Sequence, residues 1–152
     1  MLTLEIATGL GMMVLTIIVH AMFMVAGVRT AEWRRSRFGP VEKVIGKAVL
    51  LSLLTVWMFL AIALEVLLWA LLYLFNPLIT ALPDLETAFY FSMVTFTTLG
   101  FGDVVLTGQW RTLASIQAAN GVIIFGWTTA LIFYFIQHIY VEEQGRTSGN
   151  IK

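Results

Sequence analysis

Three long apolar stretches restrict the fold of this chain more than any other feature. Residues 6–28 and 112–141 contain no Asp, Glu, Lys or Arg, and residues 48–75 contain one, Glu65. A helix of about 20 apolar residues crosses the hydrocarbon core of a bilayer, so each stretch is long enough to span it. With 59% hydrophobic and 12% charged residues, the chain is too apolar for an ordinary soluble domain. We therefore predict an all-α integral membrane protein with three transmembrane helices.

A fourth apolar stretch, residues 87–102, is too short to span a membrane. As a helix it would reach about 24 Å, against a hydrocarbon core of roughly 30 Å. It also ends in glycines, which break helices. Irregular backbone at membrane depth is tolerated only where it is buried in protein or lines a water-filled path. We expect a re-entrant segment, with Asp84 as the N-cap of a short helix over residues 85–96.

Residues 97–103 read Thr-Thr-Leu-Gly-Phe-Gly-Asp and directly follow that short helix. Glycine adopts left-handed backbone angles at little cost, so a T-x-G-x-G run lets successive carbonyl groups turn to the same side. A ring of such carbonyl oxygens replaces the water shell of a monovalent cation. The segment therefore predicts a narrow cation pore.

This run resembles the selectivity filter of the potassium channel family, whose usual form is T-x-G-Y-G-D, with Phe101 in place of the tyrosine. The resemblance covers residues 48–140 and is that of a small prokaryotic-type member with one extra N-terminal helix. It implies passive K⁺ permeation, with K⁺ as the permeant ion and no cofactor. It also implies that Thr98 contributes its hydroxyl oxygen. The ion-binding residues implied are Thr98, Leu99, Gly100, Phe101 and Gly102.

A second set of residues is expected to support the filter: Thr97, Asp103, Tyr90, Phe91 and Glu65. The resemblance implies that Asp103 lies behind the outer mouth and accepts a hydrogen bond from Tyr90 on the short helix. It also makes Phe91 the neighbour of Phe101, and neither phenyl ring can donate a hydrogen bond. The usual bracing of the filter is thus reduced, which leaves a weakly selective cation channel as an alternative.

The third apolar stretch matches the inner helix of the family. Gly121 and Gly126 correspond to its hinge-glycine region, with close helix packing as the alternative for each. Thr129 is a candidate to hydrate an ion in the cavity, and Phe133 is a candidate hydrophobic constriction, although such an aromatic stripe also suits a lipid-facing or core position. The predicted cavity and gate residues are Gly121, Val122, Phe125, Gly126, Thr129, Phe133 and Gln137.

Glu65 and His20 are polar residues inside predicted spans. A carboxylate within a membrane is costly and normally faces protein or water. We expect Glu65 to bond a serine or threonine of the short helix, either as a pH-sensitive brace or as a static, uncharged acid. Counted from the inner ends of their apolar stretches, His20 lies about 12 Å deep and Glu65 about 25 Å deep. A direct pair between them is therefore not expected, His138 is expected at the interface, and no metal site is predicted.

The basic residues predict the topology. Most of the nine Lys and Arg residues lie between the first two spans, which places that segment in the cytoplasm and the N-terminus outside. The re-entrant segment then opens outward and the C-terminus is cytoplasmic, in a plasma or inner membrane. The predicted segments are an N-terminal helix (1–28), a basic loop (29–47), a pore domain (48–141, with outer helix 48–75, pore helix 85–96, filter 97–103 and inner helix 112–141) and a tail (142–152), expected to be disordered.

One filter strand cannot surround an ion, so four copies are required and we predict a homotetrameric pore. Anionic lipid is a candidate partner at Arg29, Arg34, Arg35 and Arg37, although these charges also suffice merely to set topology. The zero net charge argues against nucleic acid, and no nucleophile–base pair suggests an enzyme. A non-conducting accessory subunit is a further alternative, whereas a simple lipid-binding protein leaves the Thr-Gly pattern unexplained.

Overall fold

The chain forms four helices in the computed structural model, which describes residues 2–41, 43–108 and 110–149, without the side chains of 139–149. The helices are α1 (Leu2–Phe38), α2 (Val44–Phe75), α3 (Leu85–Phe96) and α4 (Arg111–Gly149). Within the described part of the chain, α1, α2 and the Arg111–His138 part of α4 are long and apolar enough to cross a membrane. The predicted all-α membrane fold is confirmed.

Helix α1 is longer than its apolar stretch. It continues through the basic residues to Phe38, so much of the predicted loop 29–47 is helical. The helix ends because Gly39 adopts a left-handed conformation (φ 74°) and its N–H donates to the carbonyl of Arg35 at 2.8 Å, a common helix C-terminal cap. Pro40 follows and cannot continue the helix. Charge therefore marks a membrane boundary in this segment but does not end the helix.

Helix α4 also passes its predicted end at residue 141 and continues to Gly149. The expected disordered tail is thus helical as far as that residue, while residues 150–152 lie outside the described part of the chain. A lone glycine such as Gly145 costs a helix only about 1 kcal/mol relative to alanine, which is too little to end it.

Helix α3 lies between α2 and α4 and forms the centre of the core. Trp69 and Tyr73 of α2 pack with Phe96 of α3 and Leu113 of α4, and all four side chains are fully buried. Helix α1 packs on the outside of this unit, against both α2 and α4. The arrangement holds the short helix α3 between α2 and α4.

Candidate functional site

The start of α3 is held by a side-chain cap. Asp84 Oδ1 accepts a hydrogen bond from the backbone N–H of Thr87 at 2.8 Å, and Oδ2 accepts one from the Thr87 hydroxyl at 3.0 Å. These bonds lower the pKa of the Asp84 carboxyl below its usual value. Helix α3 covers the range expected for the pore helix, Leu85–Phe96. Its C-terminal end, which carries the negative end of the helix dipole, leads directly into residues 97–103.

The backbone of residues 98–102 alternates in the manner that the glycine pattern predicts. Thr98, Gly100 and Gly102 have φ values of 59°, 56° and 82°, which are left-handed conformations at every second residue. The N–H groups of Leu99 and Gly100 both donate to the carbonyl of Val94, at 3.0 and 3.3 Å. The segment is therefore tied at its first residues to the last turn of α3.

Thr98 adopts a backbone conformation that is unfavourable for its residue type. A β-branched side chain at positive φ is a genuine outlier, and such a residue stores about 1–3 kcal/mol of strain. Its N–H donates to the carbonyl of Thr95 at 3.0 Å, which helps to hold the conformation. Strain of this kind clusters at functional sites.

The C-terminal end of the segment is braced by a hydrogen bond. The Tyr90 hydroxyl donates to Asp103 Oδ2 at 2.7 Å, as the family resemblance implies. This bond lowers the pKa of Asp103 and raises that of Tyr90. The Thr97 hydroxyl, in contrast, donates to the carbonyl of Met93 at 2.8 Å and so bonds its own helix.

Phe91 packs against the helical core, and its expected contact with Phe101 stays a prediction. Phe91 is buried and packs edge-to-face on Tyr73 of α2, with ring centroids 5.3 Å apart. Phe101 is 65% exposed on the chain. The contact between Phe91 and Tyr73 is part of the packing of α3 on α2.

The two inner-helix glycines have different surroundings. A Cβ atom at Gly121 would overlap the carbonyl oxygen of Phe96, so this glycine allows α4 to contact the end of α3 closely. A Cβ at Gly126 would meet nothing within 4 Å. Of the two, Gly121 therefore has a packing function, and the hinge remains a prediction for Gly126.

The other predicted cavity and gate positions share one property, which is exposure on the single chain. The Thr129 hydroxyl donates to the carbonyl of Phe125 at 2.8 Å. The Phe125 ring packs edge-to-face on Phe96, with centroids 6.0 Å apart. The exposed positions are Val122, Phe125, Gly126, Thr129, Phe133 and Gln137.

The expectation that Glu65 and His20 do not form a direct pair was wrong. His20 Nδ1 lies 2.9 Å from Glu65 Oε1, and both side chains are fully buried. The depths were counted from the ends of the apolar stretches, whereas the helices extend further. By helical rise, His20 lies roughly 27 Å from Phe38 and Glu65 roughly 32 Å from Val44, which makes their depths similar. The carboxylate thus bonds α1, and not the serine or threonine of the pore helix that we expected.

A buried polar network between three helices was missed from the sequence. The Tyr73 hydroxyl donates to Gln117 Oε1 at 2.8 Å, and Gln117 Nε2 donates to Ser92 Oγ at 2.6 Å. The Ser92 hydroxyl in turn donates to the carbonyl of Val66 at 2.8 Å. These side chains join α2, α3 and α4. The available signal was the occurrence of a polar residue in three separate apolar stretches.

Comparison with known proteins decides the family. A family model described as "Ion channel" matches residues 53–138, which include all of α3, the 97–103 segment and most of α2. The chain belongs to this ion channel family. The predicted membership in the potassium channel family is thereby confirmed, and α1 (Leu2–Phe38) lies entirely outside the matched residues.

One characterised relative of this ion channel is similar in part. The calcium-gated potassium channel TvoK of Thermoplasma volcanium is 34% identical over 67 residues, which cover 43% of this chain. The same alignment covers 19% of TvoK, so the chain spans about a fifth of that relative's length. No solved structure gives a significant match.

Proposed function

We propose that this ion channel conducts K⁺ passively through a filter of backbone carbonyl oxygens at residues 98–102. The observation that carries the proposal is the left-handed backbone at Thr98, Gly100 and Gly102, in a segment tied to the end of a pore helix. Such alternation turns successive carbonyls to one side, as cation coordination requires. The name of the relative TvoK supports K⁺ as the permeant ion.

The decisive experiment is ion flux through the purified chain in liposomes. We expect K⁺ flux to exceed Na⁺ flux, and Gly100→Ala to reduce the K⁺ flux strongly. Gly100 has φ 56°, and a Cβ there would meet nothing within 4 Å of its own chain. The effect would therefore come from backbone strain or from neighbouring copies. Flux that Gly100→Ala leaves unchanged would show that ions do not use this filter.

The second candidate is a weakly selective cation channel of the same fold. It is favoured by Phe101, which has no hydroxyl and is 65% exposed, while Phe91 packs on Tyr73. Equal K⁺ and Na⁺ rates in the same liposomes would favour this candidate. No flux from the chain alone would favour a non-conducting accessory subunit.

We infer that four copies assemble around the filter. Leu99 is 57% exposed and Phe101 is 65% exposed on the single chain. Neighbouring apolar side chains with this much exposure are typical of a protein–protein contact. A fourfold ring would cover both side chains and supply four sets of carbonyls. The test is the protein mass in detergent, corrected for bound detergent. We expect four times the 17.0 kDa of one chain, and a monomer or dimer would contradict the assembly.

We propose a plasma or inner membrane location with the N-terminus outside. The arginines in the last turns of α1 support a cytoplasmic α1–α2 connection. The chain contains no cysteine, so single cysteines report orientation cleanly. An impermeant maleimide should label Leu78→Cys in intact cells and Ser36→Cys only after permeabilisation. The reverse pattern would contradict this orientation.

We propose that an anionic lipid binds between α1 and α2. A cavity of about 340 Å³ is lined by Leu54, Trp57 and Phe135, with the half-buried Arg34 as its charged residue. The apolar wall suits an acyl chain and the guanidinium suits a phosphate. Native mass spectrometry with phosphatidylglycerol should show a bound lipid that Arg34→Gln removes. Equal retention of phosphatidylcholine would contradict recognition of the headgroup charge.

A further inference from the structure

Helix α1 lies parallel to the inner helix α4 and contacts it at several levels. An atom added at Gly9 would lie 2.7 Å from Ile116 Cδ1, and Asn120 Nδ2 donates to Thr16 Oγ1 at 2.7 Å. Arg35, near the other end of α1, contacts His138. The contact positions advance together along both helices. Movement of α4 at this interface therefore requires these contacts to change or α1 to move with it.

His20 is at the centre of this interface and bonds two helices at once. Its Nδ1 lies 2.9 Å from Glu65 Oε1 of α2, and its Nε2 lies 3.2 Å from Thr128 Oγ1 of α4. His20 and Glu65 are fully buried, and Thr128 is half-buried. We refer to Glu65, His20 and Thr128 as the His20 bridge. It is a continuous polar path from α2 through α1 to the inner helix.

The hydrogen bonds of the His20 bridge depend on the protonation of His20 and Glu65. The Thr128 hydroxyl has one hydrogen and lies 3.0 Å from the carbonyl of Ile124, to which it donates. Its oxygen then accepts from His20, so Nε2 carries a hydrogen. The short contact between Nδ1 and Glu65 Oε1 needs a further hydrogen between them. The pair therefore holds one shared proton and has no net charge, which is the state that burial favours.

Loss of the shared proton changes the bonding of α4. The remaining hydrogen of His20 would move to Nδ1 to face the Glu65 carboxylate, and Nε2 would become an acceptor. Thr128 would then have to turn its hydrogen from the carbonyl of Ile124 towards Nε2, or the contact would be lost. An added proton would also lack an acceptor, because Glu65 Oε2 is buried without a hydrogen-bond partner among the described residues. Both changes disfavour the observed packing.

Few titratable groups surround His20 in the described part of the chain. Glu65 is the carboxylate that faces it from α2, and α4 faces it with Thr128 and with the Trp127 ring, whose centroid is 6.4 Å away. A change in the protonation of the His20–Glu65 pair therefore alters the hydrogen bond between His20 and Thr128 of α4.

We propose that the His20 bridge is a proton-sensitive contact that positions the inner helix, so that α1 couples the protonation of the His20–Glu65 pair to channel opening. This inference rests on the proposed channel function. It assigns α1, which lies entirely outside the family match, a part in gating. His20 and Thr128 are positioning residues here and touch no permeating ion.

The test measures open probability, single-channel conductance and the K⁺/Na⁺ permeability ratio of the full chain in planar bilayers at several pH values. We expect the open probability to change about fivefold or more between about pH 5 and about pH 8. Conductance and permeability ratio should stay constant, because the filter is not altered. His20→Gln and Thr128→Val should each flatten the pH profile.

The matched control is Thr16→Val, which removes the contact of Asn120 with α1 but no titratable group. Its pH profile should keep the shape and midpoint of the wild type. A wild-type open probability independent of pH, or a His20→Gln profile like the wild type, would overturn the proposal. If His20→Gln does not assemble, Thr128→Val decides alone, and an unchanged profile overturns it.

Failure of the proposed function gives a different result. Absence of flux at every pH, or flux insensitive to Gly100→Ala, would contradict the carbonyl filter itself. Flux through the filter with pH-independent opening would contradict the His20 bridge alone.

Discussion

The side-chain amide of Gln117 on α4 donates a hydrogen bond to the hydroxyl of Ser92 on α3 at 2.6 Å. The same amide group accepts from Tyr73 of α2 through its oxygen, so one side chain joins three helices. All three side chains are fully buried. This junction holds α3 against both α2 and α4.

Gln117→Leu is expected to destabilise the protein. The substitution leaves the Tyr73 hydroxyl without its acceptor and Ser92 without its donor, and an unsatisfied buried group costs about 1–3 kcal/mol. The midpoint of thermal unfolding in detergent should fall. Ser115→Ala, an exposed change on the same helix, is the control and should alter stability by less than about 0.5 kcal/mol. Equal midpoints for the two variants would contradict a structural role of the junction.

Gly121→Ala and Gly126→Ala are expected to have different effects. A Cβ at Gly121 overlaps the carbonyl of Phe96, so α4 must shift from α3 at a cost of about 1–3 kcal/mol. Gly126 has open space, so alanine there is expected to be tolerated. Thermal unfolding of both variants checks this, and equal losses of stability would contradict it.

Gly126→Ala also tests the predicted hinge. If α4 bends at Gly126 during opening, alanine should lower the open probability, because it favours the straight helix by roughly 1 kcal/mol. The single-channel conductance should not change. An unaltered open probability would leave Gly126 without a role as a hinge.

Tyr90→Phe is expected to weaken the outer mouth and shift the titration of Asp103. The hydrogen bond lowers the pKa of Asp103 below 3.8 and raises that of Tyr90 above 10.0. The stabilisation that this hydrogen bond provides is therefore fully present between pH 3.8 and pH 10.0. It is lost as pH falls through the lowered pKa or rises through the raised one. Carboxyl NMR should show the Asp103 pKa returning towards 3.8 in the variant.

The functional readout of Tyr90→Phe is the K⁺/Na⁺ flux ratio at neutral pH, which should fall because the brace is missing. Tyr134→Phe, an exposed change on α4, serves as the control. An Asp103 titration identical to that of the wild type would show that the bond does not form in the membrane.

Thr98→Gly and Thr98→Ser are expected to separate backbone strain from the hydroxyl. Glycine at φ 59° relieves about 1–3 kcal/mol of strain but removes the oxygen expected at the inner end of the filter. Thr98→Gly should therefore unfold at a higher temperature and lose K⁺ selectivity, whereas Thr98→Ser keeps the selectivity. A selective Thr98→Gly channel would show that the hydroxyl is not required.

The local pattern was sufficient to predict the elements of the pore. Span lengths depend on runs of apolar residues, the start of α3 depends on Asp84 and the left-handed positions in the filter depend largely on glycine, so neighbouring residues carry this information. The bond between Tyr90 and Asp103 was reached through the family resemblance. Helix ends were predicted less well, because charge at Arg29 or Glu142 marks the edge of an apolar run and not the end of a helix.

The amino-acid sequence by itself determined an all-α membrane protein with a pore helix and a T-x-G-F-G-D segment between two spans. Tertiary structure alone decided which buried polar groups meet, His20 with Glu65 and Gln117 with Ser92, and where Gly121 packs against the carbonyl of Phe96. These contacts depend on how far each helix extends and how it is rotated against its neighbours. A buried polar side chain requires a partner, but its own sequence neighbourhood does not specify which helix supplies it.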